Sequence, residues 1–518
     1  MSASTQISNP LDQAAYPVKN KGLLTLAVMG ATIIQILDST IANVAIPHMQ
    51  TSLGATMDTI TWVLTSYIIA SAVAMPITGW LSDRIGSRNL FLGAVAGFIL
   101  ASMLCGIATS LTEMVAFRIF QGVCAAFIGP LSQTILLDIN KPSDAPRAMS
   151  MWGMGIMIAP ILGPMIGGWL TESYNWRWVF YINLPIGILT VAILWWLLPS
   201  RPINRRELDQ FGFAMLAIGL ATLQLLADRG QQEDWLQSWE IIIELLVVVA
   251  AIWMFAIHQK TTRNPMFDRL LMTDRNFFIS LNMMLLVGMT IFGIFALLPP
   301  MLQNLYGNSV YDTGMLLAPR GVGTMLAMFL ATKLGNKVDP RSLIFCGFLI
   351  TAASMWVMTS WSLDMDWHLI VYTGLLQGFG MGFVFIPLNA VAFSTLPLRL
   401  RTDGSSLLYL FRNIGGSFGI SLMTTMLARN MQTSHEDLAS HVTASSMSVV
   451  DPSTADRLGS IGESAMQMVN LEINRQAAMI AYLDDFKLMM IMLIIVSPLV
   501  FFLKPGKAAP GQQPAMAD

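Results

Sequence analysis

The chain has 518 residues, 54% of them hydrophobic and 12% charged, with a mean hydropathy of +0.61. A soluble globular domain carries about 25% charged residues, so an ordinary soluble enzyme is excluded, and the formal charge of −2 gives no sign of a nucleic-acid partner. The apolar stretches are too long for the roughly 10-residue alternating strands of an outer-membrane barrel, which predicts an all-α polytopic membrane protein.

Taking about 20 apolar residues per crossing, the first half predicts spans at Gly22–Pro47, Ile60–Trp80, Leu90–Ser110, Met114–Asp138, Met149–Thr171 and Val179–Pro199. Two more follow at Phe211–Ala227 and Ile241–His258. The last six are Asn276–Pro299, Thr313–Thr332, Ser342–Trp361, His368–Phe393, Gly404–Leu427 and Phe486–Phe502. The polar stretch before the first span has no apolar core or small-residue cleavage site, so that span is expected to be retained rather than removed as a signal peptide. The resulting organisation is a tail over 1–21, a six-helix bundle over 22–200 and a linker over 201–275 carrying two inserted helices. A second six-helix bundle over 276–503 includes an external loop over 429–485, and a Pro/Gly/Ala/Gln tail over 504–518 is expected to be disordered.

Basic residues collect in alternate loops, among them Lys19, Arg84, Arg88, Lys141, Arg147, Arg201, Arg206, Lys260, Arg269, Lys333, Arg341 and Arg401, while the opposite short loops hold only Arg177 and Arg229. The positive-inside rule then puts both termini in the cytoplasm and the 429–485 segment outside. The two bundles read as copies. Arg118-x-x-Gln121-Gly122 is echoed by Gly374-x-x-Gln377-Gly378, and the basic turn Gly79–Arg88 by Gly335–Arg341; the second copy has lost the arginine. Parallel repeats with the substrate route between them are a known transporter plan.

A charge near the bilayer centre costs about 2.5–3.5 kcal/mol on insertion scales, so each one needs a reason. Asp38, Arg118, Arg412 and the shallower Arg320 stand out. Asp38 shares a helical face with Gln35, and Asn43 lies further along the same span. A buried carboxylate beside an arginine is a workable proton-binding device; a static ion pair that aligns helices is the alternative. Arg118 shares its face with Gln121 and Gly122, and arginine does not give up its proton in practice, so it modulates a partner or binds an anion. Arg412 has Tyr409 on its face, and Arg320 has the simpler option of closing a helix end. Gly155, Ala159, Gly163 and Gly167 recur every fourth residue among Pro160 and Pro164, a spacing that lets backbones approach, whether for packing or for a hinge. Gly79, Asp83, Arg84, Gly86 and Arg88 form a tight charged turn, read either as an orienting turn or as a latch between the repeats. Cys105, Cys124 and Cys346 are read as packing residues without disulfide or metal. No phosphate-loop, nucleophile or metal spacing is present, so neither a cofactor nor an ATP-driven pump is expected.

Gly79–Arg88, Arg118-x-x-Gln121-Gly122 and the segment Ala159–Gly168 resemble the cytoplasmic-loop, helix 4 and antiporter helix 5 motifs of the major facilitator superfamily, over nearly the whole chain. Ser87 departs from the loop pattern, which usually has a basic residue there. Leu37–Thr40 with Asn43 and Pro47, in a fourteen-helix chain, is similar to its drug:proton antiporter branch. Asp228-Arg229-Gly230 with Asp234-Trp235, and Trp176–Gly187, resemble EmrB-like permeases. The resemblance implies a fold of two six-helix bundles plus two inserted helices, proton-coupled export of amphiphilic compounds across a Gram-negative inner membrane, and work with a periplasmic membrane-fusion adaptor and an outer-membrane channel. Competing readings are a dedicated exporter of an anionic metabolite or fatty acid held by Arg118 and Arg412, a lipid flippase and a transporter-like sensor. The second half of the external segment, with Met466, Val469, Ile473 and Met479 among polar residues, reads as a partly amphipathic helix suited to the adaptor or to the permease's own outer face.

Overall fold

The computed structural model describes residues 14–504 apart from 142–143, 202, 204–205, 231, 234, 335–336 and 443–459. The tails, Asp234 and Gly335 from the sequence motifs, and the middle of the external segment lie outside the described residues, as does the side chain of Met466. The described chain is helical. Six helices come first, α1 (Lys21–Leu53), α2 (Trp62–Ile85), α3 (Ser87–Ile107), α4 (Leu111–Ile139), α5 (Ala145–Ser173) and α6 (Trp178–Leu197), followed by α7 (Gln210–Arg229) and α8 (Trp239–Thr261). The second set is α9 (Arg275–Asn304), α10 (Val310–Leu334), α11 (Pro340–Met358), α12 (Trp367–Ser394), α13 (Arg401–His441) and α14 (Ser460–Val496). Thirteen of the described helices are long and apolar enough to cross a membrane. The polar α13, packed against α9 and α14 within the bundle, completes the fourteen.

Local chemistry starts the helices where the sequence changes character. Ser110 accepts from the Glu113 amide at 3.3 Å, Asp209 from Gly212 at 2.8 Å and Asp274 from Phe277 at 2.8 Å, each satisfying an orphan first-turn donor. Pro130, Pro160, Pro164, Pro319 and Pro387 sit inside helices, which membrane bundles tolerate because neighbours cover the freed backbone groups.

Both halves use one set of pairings. In the first, α1 packs on α5, α2 on α4 and α3 on α4; in the second, α9 packs on α13, α10 on α12 and α11 on α12. The halves meet where α5 lies along α10 and α4 along α13. The inserted α7 and α8 pack on each other, and α7 leans on α2, where Thr65 donates to Asp228. α8 buries only Ile241, Val248, Ala251 and Gln259, which leaves most of it facing outward.

The external segment is more helical than a loop. α13 has 41 residues and α14 has 37, so at about 1.5 Å per residue each is much longer than the roughly 30 Å hydrocarbon core. The helix that carries the first part of the predicted span Phe486–Phe502 begins at Ser460 and ends at Val496, and a 3-10 helix over Ser497–Phe502 completes the span. One packing expectation is corrected: Cys105 and Cys124 are buried, but Cys346 is exposed, because its position on α11 turns away from the α12 seam.

Candidate functional site

The buried charges of the first half come together because α4 and α2 are drawn into contact. Gly122 makes this possible: a Cβ there would lie 2.5 Å from the Tyr67 carbonyl oxygen. One turn earlier, Arg118 donates from Nε to the Val63 carbonyl at 3.0 Å and lies over the Tyr67 ring, with Cζ 4.2 Å from its centre. Its Nη1 donates to Asp38 Oδ2 at 2.7 Å and to Gln121 Oε1 at 2.7 Å. Asp38 Oδ1 accepts from Gln121 Nε2 at 2.9 Å and from Asn183 Nδ2 at 2.8 Å, and Asn183 also donates to Ser102 at 3.0 Å. Asp38, Arg118, Gln121 and Asn183 are each 0% exposed. The cluster is a buried ion pair with both carboxylate oxygens occupied and Arg118 Nη2 left without a partner among the described residues, and removing one member of such a pair costs about 3–5 kcal/mol.

Asn183 lies in a largely apolar run, and no local feature of the sequence marks it as a site residue. The other polar residues nearby stay outside this network. Gln35 is half-buried, with Oε1 lacking a hydrogen-bond partner among the described residues, and Asn43 is exposed. Tyr409 sits across the seam between the halves, its ring 6.1 Å from Trp152 and closely against Gly129. Arg412 lies over that ring at 4.4 Å, with Nε unpartnered among the described residues.

The glycine row of α5 faces α1. A Cβ at Gly155 would run into Met29, one at Gly163 would lie 2.8 Å from Thr40 Cβ, and one at Gly167 would lie 3.2 Å from Ile41 Cγ2. Thr40 and Ile41 follow Asp38 by less than one turn, so this row sets how closely α5 approaches the helix that carries the carboxylate. Gly168 turns toward Val310 of α10 at 3.7 Å, while Pro160 and Pro164 face a cavity described below.

At the end of the bundle rich in basic loops, polar contacts close the seam between the halves. Gln133 Nε2 donates to Asn389 at 2.6 Å and Thr134 to Ser405 at 3.1 Å. Asp138 pairs with Arg201 and, at 3.4 Å, with Arg401. Arg206 bridges the halves, meeting Asp403 at 2.8 and 2.9 Å and Asp83 at 3.3 Å. Burial disfavours its charge, but the two carboxylates outweigh that and hold its pKa above the usual arginine value. Gly79 makes room for Asp403, since a Cβ there would overlap the carboxylate. Of the predicted turn residues, Asp83 therefore reaches the other half through the linker's Arg206. Arg84 and Arg88 stay in the first half, lying over Trp80 at 5.2 Å and Trp195 at 5.9 Å. Gly86 supplies the positive φ of 87° that ends α2.

A cleft between α5 of the first half and α9, α10 and α12 of the second, about 960 Å³ with space open to solvent included, has mostly apolar walls, with Arg320 and Gln377 among its polar groups. Another buried carboxylate, Asp485 on α14, has neither oxygen hydrogen-bonded among the described residues. The sequence reading placed it in the external segment because it lies one residue before the predicted last span.

Comparisons with known proteins agree with this architecture. The family model described as Major Facilitator Superfamily matches residues 28–420. The chain is 35% identical to "Multidrug export protein EmrB" of Escherichia coli (strain K12) over 94% of this chain and 96% of that protein. It is 34% identical to "Fatty acid resistance protein FarB" of Neisseria gonorrhoeae over 94% and 96%. Among solved structures, the proton:xylose symporter XylE bound to 6-bromo-6-deoxy-D-glucose aligns with a TM-score of 0.58 at 14% identity, covering 94% of this chain and 100% of that one. At that identity the likeness concerns the fold alone.

Proposed function

The chain belongs to the major facilitator superfamily, and from that premise we propose that it is a proton-coupled antiporter exporting amphiphilic compounds across the inner membrane of a Gram-negative bacterium. The observation that carries this reading is the buried Asp38–Arg118 pair. The pair exists only while Asp38 is ionised: a proton on the carboxylate removes the charge that holds Arg118 and turns one oxygen from acceptor to donor. Asp38 belongs to α1 and Arg118 to α4, so loading a proton loosens two helices that the ionised pair ties together. Arg118 keeps its own proton and serves as the counter-charge. The basic end faces the cytoplasm, and the Arg206 contacts form the closure that must open for substrate to enter from that side.

The multidrug export name of a relative at 35% identity supports the substrate class. A periplasmic adaptor and an outer-membrane channel complete the proposed pathway, with the helical ends of α13 and α14 as the adaptor's docking face. The decisive experiment is proton/drug exchange in proteoliposomes: Asp38→Asn should be inserted and folded yet exchange nothing above background, and wild-type exchange by that variant would sink the reading. Glutamate substitutions at Val469 and Ile473 test the adaptor. Docking requires lost adaptor cross-linking with exchange by the isolated permease preserved, and loss of both assigns the face to the permease itself.

A further inference from the structure

Arg320 is the counterpoint to Arg118. It lies inside α10, and its backbone is pinned against α12 because Gly378 has no side chain to hold the Arg320 carbonyl away. The side chain lines the cleft, with Cζ 5.5 Å from the centre of the Phe295 ring. An aromatic face covers a guanidinium without accepting from the N–H groups along its edges. Nε and Nη2 have no hydrogen-bond partner among the described residues and are shielded from solvent, and no described carboxylate pairs with Arg320. Leaving a cation unpaired in such a setting is costly.

Nε and Nη2 lie on the same edge of the guanidinium plane, and that edge presents two parallel donors matched to the two oxygens of a carboxylate. Around it the cleft is apolar, with Ile294, Phe295, Leu317, Met381 and Phe385 contributing walls. Gln377 lines the same cleft with Oε1 unpartnered among the described residues. That oxygen only accepts, so it can take a donor elsewhere on an occupant but not its carboxylate, and Nε2 already donates to Met355 Sδ at 3.5 Å.

We propose that this cleft binds acidic amphiphiles, their apolar body against the α9, α10 and α12 walls and their carboxylate on the Nε/Nη2 edge of Arg320, which is covered in this conformation and must turn toward the cleft to meet the ligand. A single carboxylate on an apolar body satisfies both observations at once: it neutralises the cation and fills a cleft that offers little else to a polar solute. Arg118 has no role in this binding, because Asp38 neutralises its charge and it does not line the cleft, although its Nη2 also lacks a hydrogen-bond partner among the described residues. As a route for exported compounds the inference rests on the antiport reading; as a binding site it stands without it.

The test uses the full chain in nanodiscs and compares equilibrium binding of radiolabelled dodecanoate and dodecyltrimethylammonium, with empty nanodiscs subtracted. In Arg320→Gln the ratio of anion to cation affinity should fall at least tenfold. Leu317→Glu, which places a competing carboxylate one turn before Arg320, should lower the same ratio in a variant that keeps the arginine. An unchanged ratio in either variant overturns the proposal, and so does equal loss of both ligands in a variant of wild-type thermal stability. Exchange by Asp38→Asn tests the antiport reading separately: if that variant exchanges protons for drug as wild type does, the antiport reading fails while the site stands; an Arg320-independent ratio with a dead Asp38→Asn does the opposite.

Discussion

Arg118 in the first half commits its guanidinium to Asp38, Gln121 and the Val63 carbonyl, whereas Arg320 in the second half leaves Nε and Nη2 unpartnered beside an open cleft. The helix pairings around them are the same, and Gln121 and Gln377 occupy matching places in the two copies of one motif. What differs is the company. Gln121 completes a hydrogen-bonded ring with Asp38; Gln377, where the motif's arginine has become Gly374, points an acceptor at nothing described. Duplicated packing thus gives two similar scaffolds, and single polar residues decide that one arginine is paired with a carboxylate and the other is not.

The largest expected effect tests the paired side. Asp38→Asn should abolish exchange and lower unfolding stability by about 3–5 kcal/mol, because Arg118 is left as an uncompensated buried charge. Adding Arg118→Gln should recover much of that stability in thermal unfolding and none of the exchange; recovered exchange would make the pair a structural tie only.

Next is Gly163→Leu, which must push Thr40 and with it the α1 turn beside Asp38. Transport per inserted molecule should fall more than tenfold, and normal transport by a well-inserted protein would show that α5 and α1 need not stay close.

A smaller effect is expected at the basic end. Arg206→Gln removes the cation shared by Asp83 and Asp403, a partly exposed bridge worth about 1 kcal/mol. Disulfide formation between Thr134→Cys and Ser405→Cys, whose hydroxyls are 3.1 Å apart, should slow about fivefold in that background. An unchanged rate would mean that Gln133–Asn389 and the Asp138 pairs hold the seam without it.

The last expected change, opposite in sign, concerns the half with the unpaired arginine. Asp485→Leu replaces a buried carboxylate that has no described partner, and stability should rise by about 1–3 kcal/mol in thermal unfolding. A fall would reveal a partner for Asp485 and erase part of the contrast between the halves.

Sequence alone determined that the protein spans the membrane, that its helices form two similar sets around an inserted pair, and that Asp38, Arg118 and Gln121 are out of place in oil. Those conclusions rest on hydropathy, helical spacing and charge, which are properties of short stretches of chain. Tertiary structure decided which polar groups meet. Arg118 reaches an aspartate 80 residues away and Asn183 one 145 residues away, while Arg206 bridges to Asp403 across 197. It also decided that Arg320 meets no carboxylate among the described residues and that Gln35 and Asn43 stand apart from the charge they resemble in sequence. Whether a buried charge is paired depends on distances set by how helices pack, through contacts such as Gly122 on Tyr67 and Gly378 on Arg320, and no local pattern encodes the partner on the far side of such a contact.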